Sequence, residues 1–249
     1  MTRRVRHANV ISTTDIAPHL KRLVVGGDEF YDFPNDQLGA YVKVLFPHFG
    51  QNDVEIDLKA TNPAPKRSYT IRAIDPVKHT ITLDFVVNQH SGIATNWAKQ
   101  AKPGDKLAIA GPGPKKLDDF SQRQYLMIAD LTSVNAINGY LQQLPASANV
   151  DVFIHIADSQ DIITLDTIEA HTNHRINWLV TTEPQIELVE QITHCLNQYT
   201  DTPIIFMGLE ASLVRTIQNL AKEQFAIPSE KIVSSAYWKR GIDADGKSA

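Results

Sequence analysis

Residues 66–72 read Lys66-Arg67-Ser68-Tyr69-Thr70-Ile71-Arg72, and the prediction of the fold starts from this stretch. Two prolines shortly before it exclude a helix and deliver the chain in an extended conformation. Aromatic and β-branched residues then favour a strand, on which alternate side chains share a face. Arg67 and Tyr69 are therefore expected on one face of the strand. Thr70 and Arg72 are expected on the other.

These residue types suit a ligand that carries both phosphate and a flat ring. A guanidinium binds phosphate through two parallel hydrogen bonds, and a phenol ring offers a stacking surface. The same stretch also fits an exposed barrel strand with solvated arginines, so by itself it leaves both interpretations open.

A second candidate for phosphate binding follows at residues 90–97, where Ala94 and Trp97 begin a helical spacing after a strand. A helix N-terminus presents unpaired N–H groups and the positive end of a dipole, and Gly92 allows close approach. A short surface helix with a packed tryptophan is the alternative. The predicted phosphate site comprises Gly92, Ile93, Ala94 and Thr95.

Length and composition restrict the class of protein. The 249 residues suffice for one large domain or two of ordinary size, and a net charge of −4 argues against broad nucleic-acid binding. Cys195 is the only cysteine, so the chain forms neither an internal disulfide nor an iron–sulfur cluster of its own. No signal peptide or membrane-spanning run is recognised, and we expect a cytoplasmic protein.

The N-terminal part of the chain contains short alternating strands separated by turn residues, which predicts a small antiparallel barrel. The predicted strands are 5–12, 20–25, 40–47 and 80–87. A glycine- and proline-rich linker at 111–116 ends the first predicted domain, residues 1–116.

Strands and helices alternate in the remainder, residues 117–249, which predicts an open, parallel α/β sheet. The predicted strands are 125–129, 150–157, 177–181, 203–207 and 231–238, and the predicted helices are 132–144, 186–196 and 211–225.

Polar residues follow three of these strands, at the strand ends where an open α/β sheet binds ligands. They lie at 130–132, 158–159 and 208–210, and none forms the glycine fingerprint of a standard dinucleotide site. The acidic residue Asp158, with no basic residue nearby, favours a ribose hydroxyl and hence NADH over NADPH. Arg175 or Arg215 would reverse this preference if either reached the site.

The motifs together carry a resemblance. In order they are Arg-x-Tyr-Thr-x-Arg at 67–72, Gly-x-Ala-x-x-Trp at 92–97, Lys-Pro-Gly-Asp at 102–105, Gly-Pro-Gly at 111–113, Ala-Asp-x-Thr at 129–132, Gly-Leu-Glu-Ala at 208–211 and Tyr-Trp-Lys-Arg-Gly at 237–241. Each motif alone is weak, but the ordered set resembles the siderophore-interacting protein family across nearly the whole chain. These are FAD-containing ferric-siderophore reductases of the ferredoxin-reductase-like superfamily.

The resemblance implies an FAD-binding antiparallel barrel followed by an NAD(P)H-binding α/β sheet, as in ferredoxin–NADP reductases. It places Arg67 on the FAD phosphates, Tyr69 against the isoalloxazine ring and Thr70 near flavin N5. The diphosphate is expected at the helix start described above. For Arg72, a phosphate contact and a structural ion pair remain equally open.

In the second domain the resemblance places Asp130, Thr132 and Glu210 beside the nicotinamide, and Thr70 and Glu210 are the candidate catalytic residues. The chain departs from the family pattern nearby. Leu131 stands where an acidic residue is usual, Asn135 where proline is usual and Leu209 where glycine is usual. These departures bear on how tightly nicotinamide binds.

Ferric siderophores are often anionic, so a cationic pocket is expected to concentrate them. By resemblance the candidate substrate contacts are Lys43, Lys115 and Arg240, with Lys239 as the alternate. Ordinary solvated surface charge is the alternative for each. Tyr237 and Trp238 are expected in the core.

The favoured function is the release of siderophore iron by FAD-mediated reduction of Fe(III) to Fe(II), with NADH as donor and NADPH or ferredoxin as alternatives. A general NAD(P)H–flavin or ferredoxin reductase is the second hypothesis, and a non-catalytic ferric-siderophore-binding protein is the third. We expect a monomer that binds neither nucleic acid nor membrane. His171 and His174 have a spacing seen in metal sites, but no matching ligands accompany them, and no metal site is predicted.

Overall fold

The computed structural model of the protein describes residues 4–56, 61–166 and 172–241. The chain divides after Lys115 into two compact units. In the described residues, the first unit consists of strands with a single α-helix, and the second alternates strands with helices. The predicted fold class, an antiparallel β domain followed by an open α/β domain, is confirmed.

The described residues of the first unit form seven strands, and all their pairings are antiparallel. They are β1 (Val5–Ala17), β2 (Leu20–Gly26), β3 (Tyr41–Leu45), β4 (Lys66–Thr70), β5 (Ala73–Asp75), β6 (Thr80–Val86) and β7 (Lys106–Ala110), with α1 (Ile93–Gln100) after β6. Their order in the sheet is β4-β3-β7-β1-β2-β6-β5. Two of them were not predicted, because β5 is very short and β7 is rich in alanine, which has little preference for strands.

The two ends of this strand order meet just after β4. The Ile71 N–H donates to the carbonyl of Ala40, next to β3, at 2.8 Å, and the Arg72 N–H donates to Thr82 of β6 at 2.9 Å. Ile71 itself is fully buried. These bonds bring the β4 side of the sheet to β6, as expected of a barrel.

The main core of the first unit covers one face of β3, where Val42 and Val44 are fully buried as their alternation predicts. Leu45 is also fully buried, on the opposite face, where it packs against Val54 and Ala108 in a second small cluster. Both faces of β3 are therefore covered at its C-terminal end.

In the second unit, the part of the chain that the structure describes contains five strands, and all their pairings are parallel. They are β8 (Gln124–Ala129), β9 (Asn149–Ile156), β10 (His174–Val180), β11 (Ile204–Glu210) and β12 (Ile232–Trp238), with the helices α2 (Val134–Leu141), α3 (Glu187–Leu196) and α4 (Ala211–Asn219). Their order is β10-β9-β8-β11-β12, so the direction of strand addition reverses between β8 and β11. The ligand crevice of an open parallel sheet lies at the carboxyl ends of the strands at such a reversal.

The central strands β8 and β11 are continuous apolar runs because they are buried on both faces. Helix α2 begins at Val134, two residues later than predicted. The N–H groups of Ser133 and Val134 both bond to the carbonyl of Asp130, at 3.1 and 3.0 Å, so the first residues after β8 form a turn.

Candidate functional site

The strand β4 carries the residues predicted to contact the flavin phosphates and ring. Arg67 and Tyr69 lie opposite the two buried valines of β3, and therefore on the face that covers the main core. Thr70 lies opposite Tyr41, on the other face. The predicted alternation is confirmed for Arg67, Tyr69 and Thr70, whereas Arg72 lies beyond the strand.

Aromatic contacts attach Tyr69 to α1. The centroid of its ring lies 4.0 Å from that of Phe85, which lies 6.2 Å from that of Trp97 on α1. Trp97 also meets Phe46, just beyond β3, edge to face at 5.2 Å. Burial raises the pKa of the Tyr69 phenol, so the phenol stays neutral at physiological pH. This row of rings fixes β4 relative to the helix within the first unit.

Thr70 and Arg72 are both buried, with 7 % and 6 % of their surface exposed. Arg72 lies beyond the end of β4, where its backbone bonds to β6. Contacts of Thr70 and Arg72 with a cofactor stay predictions.

The turn that leads into α1 leaves its backbone open. Gly92 is extended, with φ 171°, and a Cβ placed on it would meet no protein atom within 4 Å. The Asn96 N–H donates to the Gly92 carbonyl at 2.8 Å and opens the helical ladder. The N–H groups of the first turn have no partner within the helix itself.

In the same turn the side chains of Ala94 and Thr95 face inward, whereas Ile93 is 45 % exposed. Thr95 is 3 % exposed, and its hydroxyl donates to the carbonyl of Val86 at 3.2 Å and lies 3.0 Å from Nε2 of His90. Ala94 belongs to the core, and burial lowers the pKa of His90. Ala94 and Thr95 therefore offer a ligand their backbone only, and the bracing of the turn by His90 was not predicted.

These residues fit the diphosphate and ring of FAD. The space above Gly92 lets a phosphate approach the start of α1, where the N–H groups and the helix dipole favour an anion. Arg67 supplies a guanidinium in the same unit, and Tyr69 supplies a fixed aromatic ring.

The basic candidates of the first unit lie elsewhere. Lys43 lies opposite Ser68 of β4 and Ala110 of β7, so it shares a face with Thr70 and not with Arg67. Lys115 lies close enough to Asp36 to help lower the pKa of that carboxyl, after the larger effect of a hydrogen bond from Gln37. Contacts of either lysine with substrate stay predictions.

In the second unit, Asp130 is held inside the protein and is 8 % exposed. Its Oδ1 accepts hydrogen bonds from the Thr132 N–H at 2.8 Å and the Thr132 hydroxyl at 2.5 Å, and its Oδ2 accepts one from the Trp238 indole at 2.8 Å. Burial raises the pKa of Asp130, although these bonds act in the opposite direction. Both oxygens are therefore engaged within the protein, and the contact between Asp130 and nicotinamide stays a prediction.

Glu210 is the N-cap of α4. Its Oε2 accepts from the N–H groups of Ser212 at 2.6 Å and Leu213 at 3.3 Å, and from the Ser212 hydroxyl. Its Oε1 accepts from the Arg240 N–H at 3.3 Å. Burial acts to raise the pKa of Glu210, but the hydrogen bonds outweigh it and the pKa is lowered. Glu210 is therefore an ionised N-cap, and its catalytic role stays a prediction.

The reversal between β8 and β11 is closely packed. The Ser133 hydroxyl donates to the carbonyl of Gly208 at 2.5 Å. A Cβ on Gly208 would lie 2.6 Å from the ring of Tyr237 and 2.7 Å from Cβ of Ser133. This glycine is therefore required by contacts within the protein.

The expected burial of Trp238 is wrong, because 41 % of its surface is exposed at the end of the edge strand β12. Its indole bond to Asp130 joins residues 108 apart in the chain, and nothing in the local sequence indicates it. Tyr237 is half-buried. Lys239 and Arg240 follow directly, and both are exposed.

A second network lies near the opposite, amino-terminal ends of β9 and β10 and was not predicted. The buried carboxylate of Asp151 accepts two bonds from Arg175, at 2.6 and 2.7 Å, and one from the Tyr199 hydroxyl at 2.7 Å. Burial raises the pKa of Cys195, whose thiol bonds to Tyr199, to about 11. Arg175 is thus held away from the carboxyl ends of the strands, where open parallel sheets bind ligands.

Within residues 4–56, 61–166 and 172–241, no group of three or more histidine, cysteine or acidic side chains is arranged to hold a metal ion. His174 begins β10, whereas His171 lies outside the described residues. In the same part of the chain, no helix has the length and apolar character needed to cross a membrane.

The two units define a protein of the ferredoxin-reductase-like class. The model of the siderophore-interacting FAD-binding domain matches residues 9–116, and that of the siderophore-interacting protein matches residues 122–241. The chain therefore belongs to the siderophore-interacting protein family, as its motifs indicated.

Several relatives and solved structures match this chain over most of its length. The chain is 27 % identical over 240 residues to the ferric vibriobactin reductase ViuB of Vibrio cholerae, covering 91 % of this chain and 86 % of ViuB. It matches the crystal structure of the siderophore-interacting protein SipS from Aeromonas hydrophila with a TM-score of 0.85 and 26 % identity, over 98 % of this chain and 94 % of SipS. A ferredoxin–NADP+ reductase from Plasmodium falciparum matches with a TM-score of 0.69 at 11 % identity, over 92 % and 94 % of the two chains, and shows the fold alone.

Proposed function

We propose that this chain is a ferric-siderophore reductase that binds FAD and uses NADH as its electron donor. The observation that carries the proposal is its similarity to a ferric vibriobactin reductase, which extends through both units. The FAD-binding elements of the first unit support an enzyme over a protein that only binds the chelate.

Arg67 and the first turn of α1 are the proposed ligands of the FAD diphosphate, and Tyr69 is the proposed stacking partner of the ring. The chemistry that bound FAD supplies is the conversion of a two-electron hydride donor into single electrons for Fe(III). Arg67 and the helix N-terminus bind the anion, while the packed Tyr69 orients the ring. No side chain needs to act as an acid or base on the iron, because hard oxygen chelators hold Fe(II) weakly.

Anionic ferric chelates are the proposed substrate class, since exposed cations concentrate them. The proposed contacts are Lys43, Lys115, Lys239 and Arg240.

NADH is proposed over NADPH because of the residues near the end of β9. Asp158 lies there, and an acidic residue prefers a ribose hydroxyl to a 2′-phosphate. Arg175, one of the two arginines able to reverse the preference, is bound to Asp151 near the other end of the sheet. Arg215 is exposed on α4 and remains the arginine to test.

Reduced ferredoxin is the second candidate donor. Both oxygens of Asp130 and both oxygens of Glu210 are engaged within the protein. A nicotinamide at this place would therefore lose two of its expected side-chain contacts.

Anaerobic stopped-flow spectroscopy tests these proposals. The purified protein is expected to show flavin absorbance that NADH bleaches faster than NADPH does, and that a ferric chelate restores. If reduced ferredoxin bleaches the flavin and neither nicotinamide does, the electron donor is ferredoxin and not NADH. A colourless protein that still binds the chelate would overturn the reductase proposal.

A further inference from the structure

The segment Trp238–Arg240 ends in two exposed cations and is bonded to two carboxylates of the second unit. Among the described strands, β12 pairs with β11 alone, so its end has a described neighbouring strand on one side. Among the described residues, no ion pair involves the side chain of Lys239 or Arg240. The two cations are thus available to an anionic ligand.

The two carboxylates bond to this segment in the same manner. Asp130 uses Oδ1 for its own turn, at Thr132, and Oδ2 for the indole N–H of Trp238. Glu210 uses Oε2 for its own helix and Oε1 for the backbone N–H of Arg240. Each carboxylate therefore joins the carboxyl end of a central strand to the segment Trp238–Arg240.

The bond from Trp238 restrains the orientation of its ring. This residue is 41 % exposed at the end of an edge strand, and its indole N–H donates to a carboxylate that is 8 % exposed. The bonded groups flank Lys239 on both sides in sequence. Two negative charges that would otherwise weaken an anion site are also engaged by N–H and O–H donors.

We propose that Asp130 and Glu210 are positioning residues that hold Trp238–Arg240 so that Lys239 and Arg240 bind the anionic ferric chelate. This inference rests on the proposed reductase function. It replaces the nicotinamide and catalytic roles expected of the two acids with a role in substrate selection by charge.

The variant Trp238→Phe tests this, because it removes the indole N–H and keeps an aromatic ring. Two probes are compared, the anionic ferric tris-catecholate and the uncharged ferric tris-acetohydroxamate. We expect KM for the anionic chelate to rise about fivefold, the size of an exposed charge contact, while kcat and KM for the neutral chelate stay within about twofold. Trp178→Phe on the other edge strand, β10, is the matched control. It is expected to leave kcat and KM unchanged for both chelates.

A double-variant comparison separates positioning from a general structural effect. In a Lys239→Ala/Arg240→Ala background, adding Trp238→Phe is expected to produce no further rise in KM, because the cations it positions are absent. An equal rise in both backgrounds, an equal effect on both chelates, or no effect of Trp238→Phe would each overturn the proposal.

Trypsin cleavage after Lys239 and Arg240, followed by mass spectrometry, keeps the test independent of turnover. Trp238→Phe is expected to be cleaved several-fold faster than the wild type and than Trp178→Phe. If the wild type reduces neither chelate, the proposed function fails. In that case, faster cleavage of Trp238→Phe would still support the claim that the indole bond restrains the segment. Equal cleavage of the variant and the wild type would contradict that claim too.

Discussion

The start of α1 and the carboxyl ends of β8 and β11 were both predicted to bind a cofactor, yet they are built in opposite ways. A Cβ at Gly92 would meet no protein atom, whereas one at Gly208 would lie 2.6 Å from the ring of Tyr237. The first region keeps backbone donors open, while the second uses its carboxylates for bonds within the protein. The two predicted sites therefore differ in whether protein groups already occupy them.

The largest effect is expected from Arg67→Ala in the open region. Loss of charge-assisted bonds to a phosphate costs about 1.5–3 kcal/mol, or roughly a 10- to 150-fold rise in the Kd for FAD. Quenching of flavin fluorescence on binding measures it. Lys66→Ala is the matched control, since Lys66 is also basic and lies on the same strand but on the opposite face. Equal losses in the two variants would show that general charge, and not this face, binds the cofactor.

Gly208→Ala tests whether the region between β8 and β11 is as closely packed as the contacts of Gly208 indicate. The added methyl group overlaps the Tyr237 ring and Cβ of Ser133, and overpacking of this kind lowers the free energy of unfolding by about 1–3 kcal/mol. The midpoint of urea unfolding measures the change in the free energy of unfolding. An unaltered midpoint would mean that the crevice between β8 and β11 has room for a ligand after all.

Gly92→Ala is expected to leave stability unchanged and to weaken FAD binding, because its methyl group enters only the space above the helix start. We expect Kd for FAD to rise about three- to tenfold, equivalent to the loss of roughly one net hydrogen bond. Calorimetric titration and thermal unfolding of the cofactor-free protein measure the two quantities. A destabilised protein with normal FAD affinity would reverse the contrast with Gly208.

The smallest expected effects are changes of stability at acidic pH. The contributions of Glu210 and Asp130 to stability are expected to change in opposite directions as the pH falls. The lowered pKa of Glu210 means that its stabilisation is present above the ordinary glutamate value of about 4.3 and is lost as the pH falls through the lowered pKa. The raised pKa of Asp130 means that the folded protein binds this proton more readily than the unfolded chain. Its contribution to stability therefore increases as the pH falls through the raised pKa.

Thermal unfolding from pH 7 to pH 3 measures both. The Tm difference between the wild type and Glu210→Gln should narrow in acid. As the pH falls, the Tm of the wild type should rise relative to that of Asp130→Asn. Parallel shifts of the two variants would contradict the assigned pKa directions.

Local sequence patterns predicted the two units and the key faces because such patterns report local geometry. The period of two in residues 66–72 placed Arg67 and Tyr69 together, and the register with β3 bears this out. Alternating strands and helices predicted the parallel sheet. The open turn at Gly92 is equally local, since it lies just before a helix start.

The sequence by itself determined that a barrel precedes a parallel sheet and which side chains share the faces of β4. The tertiary structure alone decided that Asp130 bonds to Trp238 and that Ser133 bonds to Gly208, pairs separated by 108 and 75 residues. The physical reason is range: strand periodicity depends on neighbouring residues, whereas these partners meet only because the strand order places β8, β11 and β12 side by side.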